Sequence, residues 1–194
     1  MLTRRAGRAG LLVAATGVVA AIAFAPPRAR AQSPNDKAAA EALFDEGKKL
    51  LEAKSYADAC RAFESSQKLD AGVGTLLYLG DCYERMDRFA SAWATFREAA
   101  AMAKTAADDK REKIARDRAD ALEAKLFRVT VAVTERVPGL VIKRGGQEIE
   151  PGAWGVALPV DPGSHTIEAS APGYVTITKT FEAQKTAGKE TVVI

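Results

Sequence analysis

Histidine occurs once in these 194 residues, cysteine and tryptophan twice each, and methionine three times. Chemistry that depends on clustered ligands has little to draw on. His165 stands alone, and Cys60 and Cys82 are isolated from one another and from it, without the spacing of a metal site. No Ser-His-Asp or Cys-His constellation can be assembled around that histidine. Gly145-Gly146 has no strand-to-helix context, so it reads as a hairpin turn and not as a phosphate loop. An enzyme, a metal or a cofactor is therefore not expected. His165 alternates with Ile167 and Ala169, which points to a packed histidine on a strand.

Residues 1–31 contain no acid, but they hold Arg4, Arg5, Arg8, Arg28 and Arg30. Without these five, the 28 basic residues fall to 23 against 25 acids, and a net charge of +3 becomes −2. A body of that charge has no global attraction to nucleic acid or anionic lipid. The segment has a basic start, an uncharged apolar run from Leu11 to Ala25, and Ala29-Arg30-Ala31 as a small-x-small site. At 15 residues the apolar run is shorter than the roughly 20 a membrane span requires. Residues 1–31 thus read as an export signal, whose cleavage leaves no stable membrane span; an uncleaved N-terminal anchor is the alternative. The expected location is the periplasm or the cell envelope and surface.

Beyond this segment the chain repeats itself. Leu43, Gly47, Leu50, Tyr56, Ala59, Phe63 and Ser66 recur as Leu76, Gly80, Tyr83, Phe89, Ala92, Phe96 and Ala99, all at one constant offset. Apolar residues at helical spacing, broken at Lys54-Ser55, Asp70-Ala71-Gly72 and Asp87-Arg88, predict four helices, with Ser33 or Asn35 as the first cap. A duplicated helical hairpin buries its apolar face by stacking on its copy.

These residues resemble the tetratricopeptide repeat, with the second copy the better match. The resemblance implies two repeats over residues 37–104, with Gly47 and Gly80 admitting close helix approach against Ala59 and Ala92 above Phe63 and Phe96. Glu46 and Lys49 replace the Leu79 and Cys82 of the second copy, as suits a first repeat with no predecessor. It also implies a surface for a protein or peptide partner. Candidates are Tyr78, Arg85, Trp93 and Arg97, because tyrosine, tryptophan and arginine dominate binding hot spots; Trp93 is also placed to pack under a following helix. Both cysteines face the junction between the repeats. An oxidising compartment permits a Cys60–Cys82 bridge, and two buried small hydrophobes are the alternative.

Residues 105–127 read as a charged terminal helix with an apolar stripe of Ile114, Ala115, Ala119, Leu122 and Leu126. Its acids and bases alternate, which excludes a nucleic-acid patch. From Phe127 the period changes to two: Val129, Val131 and Val133 alternate with Thr130, Ala132 and Thr134. Turns at Pro138-Gly139, Gly145-Gly146, Pro151-Gly152, Asp161-Pro162-Gly163 and Pro172-Gly173 separate six or seven short strands. The expectation is an α+β chain in two domains: helical hairpin repeats with a capping helix, then a small antiparallel β-sandwich over residues 128–194.

The second part resembles the PEGA domain, an immunoglobulin-like module of exported bacterial proteins. The segments Pro162-Gly163-Ser164-His165-Thr166-Ile167 and Ala171-Pro172-Gly173-Tyr174 carry the resemblance, while Glu150-Pro151-Gly152-Ala153 departs from the family's order. No catalytic residue comes with it. Trp154 and Tyr174 belong either to the small core or to an edge that stacks on sugar rings. The whole reads as a non-catalytic interaction scaffold of the bacterial envelope that binds a protein or peptide. The alternative is a binder of cell-wall glycan acting through the β domain.

Overall fold

The computed structural model describes residues 33–194; the export signal expected in residues 1–31 lies outside the described residues. Among these there are five α-helices followed by seven strands, with a short 3-10 turn at Pro151–Ala153 between the third and fourth strands. Helix α1 spans Pro34–Glu52, α2 Tyr56–Leu69, α3 Val73–Arg85, α4 Phe89–Thr105 and α5 Asp109–Glu123. Ser33 caps α1: its hydroxyl accepts from the Asp36 amide at 3.1 Å, while the Asp36 carboxylate accepts from the Ser33 amide. Proline at the first helical position needs no donor there, so α1 begins at Pro34, ahead of the apolar run that starts at Lys37.

Consecutive helices pack antiparallel, and the periodicity of the sequence becomes a periodicity of contacts. A β-carbon on Gly47 would lie 2.6 Å from the Phe63 ring, and one on Gly80 would lie 2.7 Å from Phe96. Ala59 and Ala92 are fully buried beside them. The turns repeat as well. Lys54 and Asp87 both adopt positive φ, of 62° and 58°. After them the Ser55 and Arg88 amides donate back to Leu50 and Tyr83, the helix-ending pattern of a Schellman turn. Ala107, with φ 53° and the Asp108 amide bonded to Ala103, ends α4 in the same way.

That third turn corrects the reading of 105–127 as one helix. Helix α4 runs on to Thr105, α5 occupies Asp109–Glu123, and Leu126 is buried beyond it. Asp108 caps α5 by accepting from the Arg111 amide. Ala115, Ala119 and Leu122 form the buried stripe, but Ile114 stays 43% exposed on the solvent side. Arg118 reaches from α5 to Asp81 and Glu84 of α3 at 3.0 and 2.8 Å and lies over the Phe96 ring. At the other end of the array Glu46 and Lys49 are exposed, whereas their counterparts Leu79 and Cys82 are buried.

The strands are β1 (Phe127–Ala132), β2 (Val141–Arg144), β3 (Gln147–Glu148), β4 (Ala157–Val160), β5 (Gly163–Ser170), β6 (Ile177–Ala183) and β7 (Gly188–Val193). They form a three-stranded sheet in the order β4-β1-β7 and a four-stranded sheet β3-β2-β5-β6. Phe127, Val129 and Val131 of one sheet share a core with Ile142, Ile167 and Phe181 of the other. Pairing is antiparallel except between β1 and β7, which run parallel from Phe127 opposite Gly188 to Ala132 opposite Val193. The expectation of a purely antiparallel arrangement fails there. The chain leaves β6 in the second sheet and crosses over, so β7 enters the first sheet in the direction of β1. Glycine is required at that entry, because a β-carbon on Gly188 would meet the Phe127 ring at 2.7 Å.

Candidate functional site

Cys60 of α2 and Cys82 of α3 form a disulfide with their Cα atoms 5.6 Å apart. It joins the second helix of one hairpin to the first helix of the next, and both residues are buried. The bridge fixes the spacing of the two repeated units without occupying their outer surface.

Tyr78 projects from α3 at 40% exposure. Its ring meets Phe44 of α1 edge-on at 5.2 Å and Phe63 of α2 at 5.5 Å. Three helices thus converge on one aromatic cluster, with the Lys48 ammonium 5.1 Å from the Phe44 centroid. Arg85 sits two turns further along α3, on the same face, paired with Asp81 at 2.7 Å and lying over Tyr56. Burial works against the ionised Asp81 carboxylate, but the hydrogen bonds from Arg85 and Arg118 outweigh it and hold its pKa below 3.8. Trp93 and Arg97 form a separate pair on α4. Trp93 is half-buried against the cluster that includes Ala119 and Leu122 of α5. The Arg97 guanidinium lies 5.6 Å from its ring and lines a hollow with Lys104, Arg116 and Asp120.

In the β region the two aromatic candidates separate. Trp154 packs against the core, donates its indole N–H to the Ile149 carbonyl at 2.9 Å, and carries Arg136 over its ring. Tyr174 is 62% exposed beside Val175 at 89%. These two, with Leu140, Ile177 and Ile194, line an apolar hollow of about 200 Å³. The reading that places both rings in the core holds for Trp154 and fails for Tyr174. The segment before Ile177 is not strand, so its side chains escape the inward alternation of β6.

His165 is half-buried, stacked on Phe181 at 5.2 Å, with Nε2 2.7 Å from the Asp161 carbonyl. Since that carbonyl accepts, Nε2 carries the proton in the neutral ring. Among the described residues no group of three or more His, Cys, Asp or Glu side chains is placed to hold a metal ion. None of the described helices is long and apolar enough to cross a membrane.

The most connected polar group is one that sequence reading took only for a turn. Asp161, between β4 and β5, extends its carboxylate to the start of α4. Oδ1 accepts from the Ser91 amide at 2.9 Å, and Oδ2 accepts from the Ser91 hydroxyl at 2.5 Å and from Arg88 Nε at 3.2 Å. No side chain within α4 caps its N-terminus. The β region supplies that cap from 70 residues away in sequence, at the positive end of the helix dipole. Arg88 also lies over Tyr83, whose hydroxyl donates to Glu64 at 2.6 Å. Asp-Pro-Gly is a turn signal by composition, and no local pattern marks a carboxylate that caps a distant helix.

Comparison of the chain with protein-family models, with curated proteins and with solved structures finds no match among them.

Proposed function

We propose that this is an exported, non-catalytic interaction protein of the bacterial envelope that holds a protein or peptide segment on tetratricopeptide-like helical hairpins. The observation that carries this reading is a packing arrangement repeated at constant spacing along the chain: Gly47 on Phe63, then Gly80 on Phe96, each followed by the same left-handed turn. Stacked hairpins of this kind present the first helix of each unit along one surface. Here that surface carries Phe44 and the exposed ring of Tyr78, with Lys48 alongside. An amphipathic aromatic with a neighbouring cation suits a segment with an apolar anchor and an acidic flank. The β region is a PEGA-like sandwich that extends the scaffold and docks on it through Asp161. Loss of residues 1–31 on export leaves the acidic body, residues 32–194, in an oxidising compartment that sustains the disulfide.

The exposed Tyr174 ring favours a second reading, in which the β module stacks on cell-wall glycan. Immobilised protein comprising residues 32–194 is exposed to envelope extract and to insoluble wall glycan, with Tyr78→Ala and Tyr174→Ala as variants. Protein partners that are retained by the parent and by Tyr174→Ala, and lost with Tyr78→Ala, support the helical surface. Retention on glycan that Tyr174→Ala removes reverses the order of the two readings.

A further inference from the structure

An edge strand leaves a row of backbone amides and carbonyls without partners in its own sheet, and folded proteins usually guard such edges. Among the described residues four strands are edges: β3 and β6 of one sheet, β4 and β7 of the other. Three of them are guarded. β3 is only two residues long. β4 contains Pro159 and lies against α4, whose Ala90 and Ala94 line a hollow with it. β7 carries the exposed charges of Lys189 and Glu190, and its Val193 carbonyl accepts from Lys179 Nζ at 2.6 Å. β6 is the open edge. Among the described residues its backbone, Ile177–Ala183, makes no backbone hydrogen bond except to β5. Of its two charges, Glu182 lies near the end of the strand, and Lys179 is drawn across to β7 by the bond to Val193.

The composition of this segment suits pairing. Val175, Thr176, Ile177, Thr178 and Thr180 are β-branched, the side chains that fit a paired strand. Yet every residue from Pro172 to Thr180 is exposed, and alternation of burial begins only at Phe181. Val175 is 89% exposed and Ile177 44%, beside the apolar hollow that Leu140 and Ile194 also line. The first half of β6 thus pairs on one side only and buries neither face.

We propose that β6 pairs antiparallel with β6 of a second copy of this chain, joining the two four-stranded sheets into one. Free amides and carbonyls along a strand edge select an extended chain. A two-fold contact needs a self-complementary surface, and this segment offers both the open edge and the β-branched apolar side chains to lay along it. Pairing the stretch Val175–Phe181 with itself centres the contact on Thr178. Val175 then faces Phe181 of the second copy, Ile177 faces the stem of its Lys179, and Thr178 faces its own counterpart. A centre at Lys179 would instead set two ammonium groups opposite one another, which is unfavourable. One strand pair buries less than the roughly 1,600 Å² of a standard interface, so the dimer is weak, with Kd on the order of 10–100 μM.

The test uses residues 32–194, which form one compact unit. Sedimentation velocity from about 1 μM to about 1 mM should show a reversible monomer–dimer equilibrium, as mass action requires. Amide NMR shifts that change with concentration should cluster in Val175–Phe181. Thr178 is exposed and lies on the face of β6 opposite to Phe181, so substitution there spares the core; thermal unfolding at low concentration checks the fold. Thr178→Lys and Thr178→Glu each set like charges across the two-fold and weaken dimerisation by about tenfold. Mixed in equal amounts, the two variants associate again, because each then faces its opposite. A parent that stays monomeric at about 1 mM overturns the second copy as occupant. Concentration-dependent shifts confined to α1 or α5, dimerisation indifferent to both variants, or a mixture no better than either variant alone overturns the β6 edge as the contact.

Discussion

Two residues show how strain and close approach trade against one another. Ala107 takes a left-handed φ of 53° to end α4, a conformation in which a β-carbon costs about 1 kcal/mol. Glycine lacks that penalty but loses more entropy on folding. The expected result for Ala107→Gly is a gain of about 0.5 kcal/mol or slightly more in urea unfolding. A loss would mean that the turn relaxes in solution. Gly80 is the opposite case. Alanine in a helix is favoured by about 1 kcal/mol over glycine, yet here its methyl would lie 2.7 to 2.9 Å from three atoms of the buried Phe96 ring. Overpacking of about 1–3 kcal/mol wins, so Gly80→Ala destabilises. In a Phe96→Leu background the clash is gone and the same substitution turns neutral or stabilising. Stabilisation of the parent by Gly80→Ala would refute the close approach.

At the scale of elements, α5 is held as much by charge as by burial. Its apolar stripe is narrow, and Arg118 joins it to Asp81 and Glu84 of α3. The folded-state pKa of Asp81 lies below the unfolded value of 3.8. Its contribution is complete above the ordinary carboxylate range and drains away as pH falls through the depressed folded value. Asp81→Asn should therefore lose stability at neutral pH, by about 1 kcal/mol for a partly exposed pair, and should narrow its deficit against the parent as pH drops below 3.8. Denaturant midpoints measured from neutral pH into the acid range check this; a deficit that is constant with pH would remove the charge from the account. The helices were legible because apolar spacing is a local signal and the duplicated hairpin a repeated one. The sequence-level reading failed where the cause was distant. Ile114 fits the stripe by spacing but lies on its solvent edge, and β7 takes its direction from a crossover between sheets that no single segment encodes. Tyr174 follows a turn signal and falls outside the alternation of the strand. The Asp161 carboxylate meets α4 only after both regions have folded.

For the whole molecule, that last contact bears on whether helices and strands act as one body. Several pairs cross the boundary. Lys185 reaches Asp87 at 3.0 Å, but both side chains are largely exposed, and such pairs contribute little. Asp161 is 21% exposed and accepts three hydrogen bonds, one from the third amide of a helix that has no cap of its own. Hydrogen bonds to a charged group contribute about 1.5–3 kcal/mol each, net of the bonds to water they replace, with less expected at a partly exposed site, so this carboxylate outweighs the surface pair. Asp161→Ala removes all three and should cost about 2–3 kcal/mol. Asp161→Asn keeps an acceptor for the Ser91 amide but loses the charge facing Arg88 and the helix dipole, and falls between the parent and alanine. Hydrogen exchange locates the effect: the Ser91 amide should exchange faster in Asp161→Ala than in the parent, with little change at the amides of α1. If helices and strands depend on this contact, the single unfolding transition expected of the parent separates into two in the alanine variant. Unchanged protection at Ser91 together with one undivided transition would show that the two regions are joined without the cap. An effect confined to Ser91, with unfolding still single, would leave the cap local and assign the coupling to other contacts across the boundary.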